Sequence, residues 1–129
     1  VGAAAALVAQ EAPALDPTPP KPTLFIAGDS TAQPGNPVAV GWGKAFADYF
    51  DPARVTMANR AIGGRSSRTF VSEGRWARLA AELKPGDFVL IQFGHNDGGP
   101  IDTPPARGSL PGIGGETREI VHPTTQAKE

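Results

Sequence analysis

The chain has 129 residues, which is enough for one small domain with a buried core, and its formal net charge of −1, with acids and bases balanced, gives no indication of nucleic-acid binding. It contains no cysteine, so disulfides and thiolate metal sites are excluded, and a metal would need the two histidines and carboxylates. We expect no metal, no other cofactor and no nucleic-acid partner. Glycine and proline account for 16 and 14 residues, which predicts a chain rich in loops.

Residues 1–22 are predicted to lie outside the folded domain. Val1 to Ala9 is small and apolar, like the end of a signal-peptide hydrophobic region without its basic start, or like an alanine-rich disordered tail. This stretch is too short to cross a membrane. Five prolines between residues 13 and 22 then favour an extended linker. We expect a folded domain over residues 23–129, a secreted or periplasmic protein, and no membrane partner.

The first strand is predicted at Leu24 to Ala27, a short apolar run that is typical of a strand covered on both faces. It stops at Gly28, Asp29 and Ser30, where the glycine permits a tight turn. A serine held at the end of a strand is suited to act as a nucleophile when a base and oxyanion donors lie nearby. From this stretch alone, Ser30 fits equally the N-cap of a helix or an ordinary turn residue.

A helix is predicted after a polar loop over residues 32–41. Its apolar residues recur at helical spacing and would form one face, and Pro52 follows its end. Trp42 fits either this core face or a ligand-stacking position. The sequence around Lys44 lacks the glycine spacing of a phosphate-binding loop, so that function is excluded. The predicted apolar face consists of Trp42, Ala45, Phe46, Tyr49 and Phe50.

The second strand is predicted at Val55 to Ala58, and it leads into a loop that begins at Asn59 and contains Gly63 and Gly64. Paired glycines let backbone N–H groups approach a ligand or a developing negative charge closely. An ordinary turn between a strand and a helix uses the same residue types, so both interpretations stay open at this point.

A second helix is predicted over Trp76 to Leu83, whose apolar residues share one face. Ser72 is its predicted N-cap, and Pro85 ends it. We expect Arg75 and Arg78 on its solvent-facing side.

The third strand is predicted at Phe88 to Ile91, again as a fully buried apolar run, and Asn96 follows it within another polar stretch. Strands that alternate with helices predict an α/β fold with a parallel sheet, in which the carboxyl ends of the strands line a ligand crevice. Ser30, Gly64 and Asn96 should therefore converge at one edge of the sheet.

Three stretches in this order resemble the sequence blocks of the SGNH, or GDSL-like, hydrolases: Gly28 to Thr31, Asn59 to Ser66, and Gly94 to Asp97. Within that family they look most like the rhamnogalacturonan acetylesterase branch of the carbohydrate esterases. The resemblance implies a three-layer α/β/α, flavodoxin-like fold with a parallel sheet, of which this chain holds the N-terminal part. It also implies the removal of acetyl groups from a plant cell-wall polysaccharide such as pectic rhamnogalacturonan.

The resemblance implies roles for individual residues. Ser30 would be the nucleophile, and its oxyanion would be held by the amides of Ser30 and Gly64 and by the Asn96 side chain. An acidic pectic substrate would suit four arginines, namely Arg60, Arg65, Arg68 and Arg107. Six further residues would bind substrate or support the site: Asp29, Thr31, Asn59, Arg65, His95 and Asp97.

The sequence departs from the family pattern at its last block. That block, Asp-x-x-His, supplies the base and its orienting carboxylate, and it is missing from this chain. Glu119 to His122 is the nearest sequence, but it follows the third block too soon, so His122 is interpreted as a loop residue. Residues 98–129 are rich in proline and glycine and are predicted to form a long loop. We therefore expect the catalytic Asp and His in a C-terminal part, on the same or a separate polypeptide.

Two other functions fit the same sequence. Without its base, the chain alone would be an inactive fragment or a binding piece. An enzyme of the same fold could instead act on another ester, as a thioesterase or lysophospholipase, because these residues do not identify an acyl-chain pocket.

Overall fold

A computed structural model describes residues 20–35 and 38–129. Most of the predicted N-terminal tail and linker, residues 1–19, therefore lies outside the described residues. Within the described part, the strands β1, β2 and β3 lie in one parallel sheet in the order β2-β1-β3. These strands span Thr23–Gly28, Thr56–Asn59 and Phe88–Gln92, and the helices α1, α2 and α3 span Trp42–Ala47, Ser67–Ser72 and Arg75–Glu82.

The middle strand β1 is buried on both faces, as its apolar run predicts. Alternate residues of a strand face opposite sides of the sheet, so Phe25 and Ala27 enter one cluster while Ile26 enters another. Burying a side chain as large as Phe25 or Ile26 contributes about 1.5–3 kcal/mol. Because β1 is held from both sides, the turn that follows it starts from a rigid position.

Helices cover both faces of the sheet. On one face, Phe70 from α2 and Leu79 from α3 pack against the cluster that contains Phe25. On the other face, Phe46 from α1 packs against Ile26. The predicted α/β class with a parallel sheet and helical outer layers is confirmed.

The first helix is shorter than its apolar spacing predicts. It ends at Ala47, and the N–H groups of Tyr49 and Phe50 bond to carbonyl groups three residues earlier, which tightens the chain into turns. Tyr49 is 86% exposed and does not belong to the core face. The prediction was wrong at this end because the chain leaves the helical path before Tyr49 can reach the sheet.

Trp42 lies at the border of the core. Its ring meets that of Phe46 edge-on, with centroids 5.4 Å apart, and its indole N–H donates to the side chain of Gln92 at the end of β3. The side chain remains partly exposed. Trp42 therefore packs on Phe46 while part of its side chain stays exposed.

The predicted N-cap Ser72 is wrong, because Gly74 is the N-cap of α3 and the serine that caps a helix here is Ser66, at the start of α2. The Ser66 hydroxyl accepts the N–H of Thr69, and the Thr69 hydroxyl accepts the N–H of Ser66. Ser72 instead ends α2, and α3 begins after Gly74, whose φ is +67°. The pattern was missed because threonine takes the place of the usual Glu or Gln in this capping box.

The third strand is not fully buried in this chain, contrary to its apolar sequence. Phe88 and Ile91 are 62% and 59% exposed. The reason is topological, since β3 lies at an edge of the described sheet with only β1 beside it.

Residues 98–129 contain turns and one antiparallel bridge, between Val121 and Lys128, and no helix or longer strand. This segment packs on α2 through Arg68, whose guanidinium donates to the carbonyl groups of Ala106 and Gly108 at 2.6 and 2.8 Å and pairs with Glu129. In the described part of the chain, no helix is long and apolar enough to cross a membrane.

Candidate active site

Ser30 lies in a tight turn directly after β1. The N–H groups of Ala32 and Gln33 both donate to the carbonyl of Asp29, at 3.2 and 3.1 Å. The carboxylate Oδ1 of Asp29 accepts hydrogen bonds from the N–H and the hydroxyl of Thr31, each 2.8 Å long. These bonds hold both neighbours of Ser30, whose own hydroxyl makes no hydrogen bond with the described residues.

Burying the Asp29 carboxylate in this turn costs free energy. It is 1% exposed, and its second oxygen, Oδ2, has no hydrogen-bond partner among the described residues. An unsatisfied buried acceptor costs about 1–3 kcal/mol. Asp29 therefore shapes the turn through Oδ1 alone, since Oδ2 has no hydrogen bond within the described chain.

Asn59, the last residue of β2, joins the Ser30 turn to the second strand. Its Nδ2 donates to the carbonyl of Ala32 at 2.7 Å, and its Oδ1 accepts the N–H of Ala61 at 3.0 Å. Gly43 of α1 approaches so closely that a Cβ there would lie 2.4 Å from the Ala32 oxygen and 2.4 Å from the Asn59 nitrogen. The contacts of Asn59 fit a supporting role.

The glycine loop after β2 lies beside Ser30. A Cβ on Gly63 would be 3.6 Å from the Cβ of Ser30. Gly64 has a φ of +77°, a conformation that glycine adopts freely. Within the described residues, the N–H groups of Ser30 and Gly64 donate no hydrogen bond. Both can therefore donate to a bound oxygen, as the donors of an oxyanion hole do.

Asn96 connects the third polar stretch to this loop. Its side chain is largely buried, and its Nδ2 donates to the carbonyl of Arg65 at 2.9 Å. An amide nitrogen carries two hydrogens, so one remains for a second acceptor. The expected convergence of the three stretches is therefore observed through contacts of Gly63 with Ser30 and of Asn96 with Arg65.

Asp97 holds the loops behind the site together. Its carboxylate accepts hydrogen bonds from the N–H of Ser67 at 3.1 Å, from the Ser67 hydroxyl, and from the Ser109 hydroxyl at 3.2 Å. These bonds join the start of α2 to the segment 98–129. Asp97 fits a supporting role, while its neighbour His95 is exposed.

Neither histidine is bonded to Ser30. The Nδ1 of His122 accepts the N–H groups of Thr124 and Thr125, at 3.2 and 3.3 Å, within its own turn. His122 is a loop residue, as interpreted from the sequence. The described residues also contain no group of three or more His, Asp or Glu side chains that could hold a metal ion.

Three of the four arginines considered for substrate binding form ion pairs with acidic side chains. Arg107 differs from them: its guanidinium donates to the carbonyl of Gly64 at 3.3 Å and forms no ion pair within the described residues. It therefore leaves a positive charge next to the oxyanion loop. The three ion pairs are Arg60 with Glu82, Arg65 with Glu73, and Arg68 with Glu129.

Glu73 holds Arg65 in place from the end of α2. It pairs with Arg65 at 3.2 Å and with Arg75. Partial burial raises the pKa of Glu73, but the hydrogen bonds from Arg75 and Arg65 outweigh this effect and the net pKa is lowered. The Arg75 side chain is half-buried, whereas Arg78 is exposed as predicted.

One contact at the site has no counterpart in the sequence patterns. The side chain of Gln33 accepts a hydrogen bond from the N–H of Gly63 at 2.8 Å. A glutamine in a polar loop carries no periodic or motif signal, and its partner lies 30 residues away. Only the folded arrangement reveals it.

The sequence model of the GDSL-like lipase/acylhydrolase family matches residues 26–128. The chain belongs to this family. It is 45% identical over 100 residues to a rhamnogalacturonan acetylesterase of Emericella nidulans, covering 78% of this chain and 38% of that protein. It is 44% identical over 85 residues to the rhamnogalacturonan acetylesterase RhgT of Bacillus subtilis, covering 64% and 36%.

A solved member of the same structural class supports the fold. The crystal structure of the Bacillus subtilis protein YxiM matches with a TM-score of 0.56 and 32% identity, covering 60% of this chain and 23% of that one. This GDSL-like chain therefore spans less than two fifths of the length of these relatives.

Proposed function

We propose that this GDSL-like chain supplies the nucleophile and the oxyanion hole of a serine esterase that removes acetyl groups from pectic rhamnogalacturonan. The observation that carries the proposal is the arrangement around Ser30. Its hydroxyl is unbonded within the described residues, the N–H groups of Ser30 and Gly64 are free there, and Asn96 has a spare donor.

The reaction is an acyl transfer in two steps. Ser30 Oγ attacks the acetyl carbonyl carbon, its proton passes to a base, and the resulting oxyanion accepts hydrogen bonds from Ser30, Gly64 and Asn96. Collapse breaks the bond to the sugar oxygen, which takes the proton from the base. Water then attacks the acetyl-serine, gives its proton to the base, and acetate leaves as Ser30 regains a proton.

The base comes, in this proposal, from a histidine downstream of Glu129. Neither histidine of the present chain is bonded to Ser30. His122 accepts hydrogen bonds within its own turn, and His95 is exposed. The named acetylesterases are also much longer than the matched region, which leaves room for such a block.

The unpaired charge of Arg107 within the described residues favours an anionic substrate. Rhamnogalacturonan contains uronic acid units, whose carboxylates would be attracted to an arginine that has no acidic partner in the described chain. A cell-wall polymer is too large to pass through a membrane, so a secreted or periplasmic location is part of the same proposal.

Release of a carboxylic acid from three substrates tests the proposal: acetate from acetylated rhamnogalacturonan, acetate from acetylated xylan, and a fatty acid from a long-chain ester. The full-length protein is expected to prefer the first. A preference for the long-chain ester would instead support a lipase-like or lysophospholipase activity, and hydrolysis of none of the three would support a binding or inactive role.

A further inference from the structure

Gln33 connects the turn of the nucleophile to the glycine loop by its side chain. Its Oε1 accepts the N–H of Gly63 at 2.8 Å. Its backbone is fixed as well, because its N–H donates to the carbonyl of Asp29 at 3.1 Å and its carbonyl accepts the N–H of Gly41 at 3.1 Å. One end of Gln33 thus belongs to the Ser30 turn and the other end holds the loop that contains Gly64.

This contact distinguishes two neighbouring amides. The N–H of Gly63 is used by Gln33, whereas the N–H of Gly64 has no acceptor within the described residues. Because each peptide plane is joined to the next by only two soft dihedral angles, fixing the Gly63 amide restricts where the Gly64 amide can point.

The close approach also explains the residue type at position 63. A Cβ there would lie 2.8 Å from the Gln33 Oε1, and 3.6 Å from the Cβ of Ser30. A larger residue would push the glutamine side chain away or separate the loop from Ser30. The contact between Gly63 and Gln33 therefore depends on both residue types.

We propose that Gln33 is a positioning residue, which sets the place of the Gly64 N–H relative to Ser30 by holding Gly63. The inference rests on the proposed esterase function. In this role Gln33 touches neither the substrate nor the reacting atoms, so its loss should lower turnover and leave substrate affinity nearly unchanged.

The test compares Gln33→Met, which has a similar length and no acceptor, with the control Gln126→Met in the full-length protein. For Gln33→Met we expect kcat on 4-nitrophenyl acetate to fall about 10- to 100-fold. This loss is smaller than the fall in kcat of about 10²–10³ that follows removal of one oxyanion donor. We expect KM to change by less than about twofold. The affinity for a small boronic acid, whose tetrahedral adduct with Ser30 places an oxygen in the oxyanion hole, should fall with kcat.

Amide hydrogen exchange supplies a readout that does not depend on catalysis. The Gly63 amide should exchange slowly in the wild type and in Gln33→Glu, which keeps an acceptor oxygen, and quickly in Gln33→Met. The Gly64 amide should exchange quickly in all three.

The outcomes are distinct. An unchanged kcat in Gln33→Met would overturn the positioning role. A joint fall of kcat, KM and the thermal midpoint, with an unchanged affinity for the boronic acid, would overturn it as well. Absence of acetate release by the wild type refutes the proposed function and the role that rests on it, and the exchange of Gly63 then still shows whether the contact with Gln33 exists.

Discussion

The Asn96 side chain donates a hydrogen bond to the carbonyl of Arg65 over 2.9 Å, so the third polar stretch is fastened to the residue that follows Gly64. This contact leaves one hydrogen of the Asn96 amide for an oxyanion. For Asn96→Ala we expect kcat for acetate release to fall by about 10²–10³, the usual loss for one oxyanion donor. Steady-state kinetics together with the thermal midpoint check this, and an unchanged kcat would remove Asn96 from the oxyanion hole.

Gly43 tests the packing that supports the Ser30 turn. A Cβ at this position would lie 2.4 Å from the backbone oxygen of Ala32, which cannot move without shifting the turn. We expect Gly43→Ala to lower the free energy of unfolding by about 1–3 kcal/mol. The matched control is Gly115→Ala, because nothing lies within 4 Å of a Cβ there. Chemical denaturation should show the difference, and equal stabilities of the two variants would contradict the described packing.

Arg107 tests the preference for an acidic substrate. Arg107→Gln removes the charge of the guanidinium that donates to the Gly64 carbonyl. We expect KM for acetylated rhamnogalacturonan to rise about fivefold, equivalent to ~1 kcal/mol for a solvent-screened pair, with little change for neutral 4-nitrophenyl acetate. Arg60→Gln is the matched control, since Arg60 is already paired with Glu82 at 2.6 Å. An equal loss on both substrates would show that Arg107 acts on the loop and not on substrate charge.

Asp87 gives the fold a defined dependence on pH. Hydrogen bonds from the backbone N–H groups of Thr23 and Lys84 lower the pKa of its carboxyl. A lowered folded-state pKa means that the stabilisation is present above the unfolded-state pKa of about 3.9 and is lost as the pH falls through the folded-state value. Asp87→Asn should therefore be less stable than the wild type at pH 7, and the difference should shrink in acid. Denaturation at several pH values measures this, and a constant difference would exclude the linkage.

The sequence predicts the parts of the fold that depend on local pattern. The apolar run of β1, bounded by a glycine and polar residues, correctly indicates a strand buried on both faces, because few other structures accommodate so short an apolar stretch. The polar residues that follow each strand correctly indicate one edge of the sheet. These features need no knowledge of distant contacts.

The missed features depend on tertiary structure. The exposure of Phe88 and Ile91 follows from the edge position of β3, which the strand's own composition cannot reveal. The six-residue helix α2 is too short for its periodicity to be recognised. The contact of Gln33 with Gly63 spans 30 residues and involves a backbone amide, so no side-chain pattern records it.

The most direct test of the account is acetate release by Ser30→Ala in the full-length protein, measured on acetylated rhamnogalacturonan. The control is Ser72→Ala, because Ser72 is an exposed residue at the end of α2. The account predicts that Ser30→Ala releases no acetate above the background of residual catalysis and unfolds like the wild type, while Ser72→Ala keeps its activity. Acetate release at the wild-type rate by Ser30→Ala would contradict the assignment of Ser30 as the nucleophile.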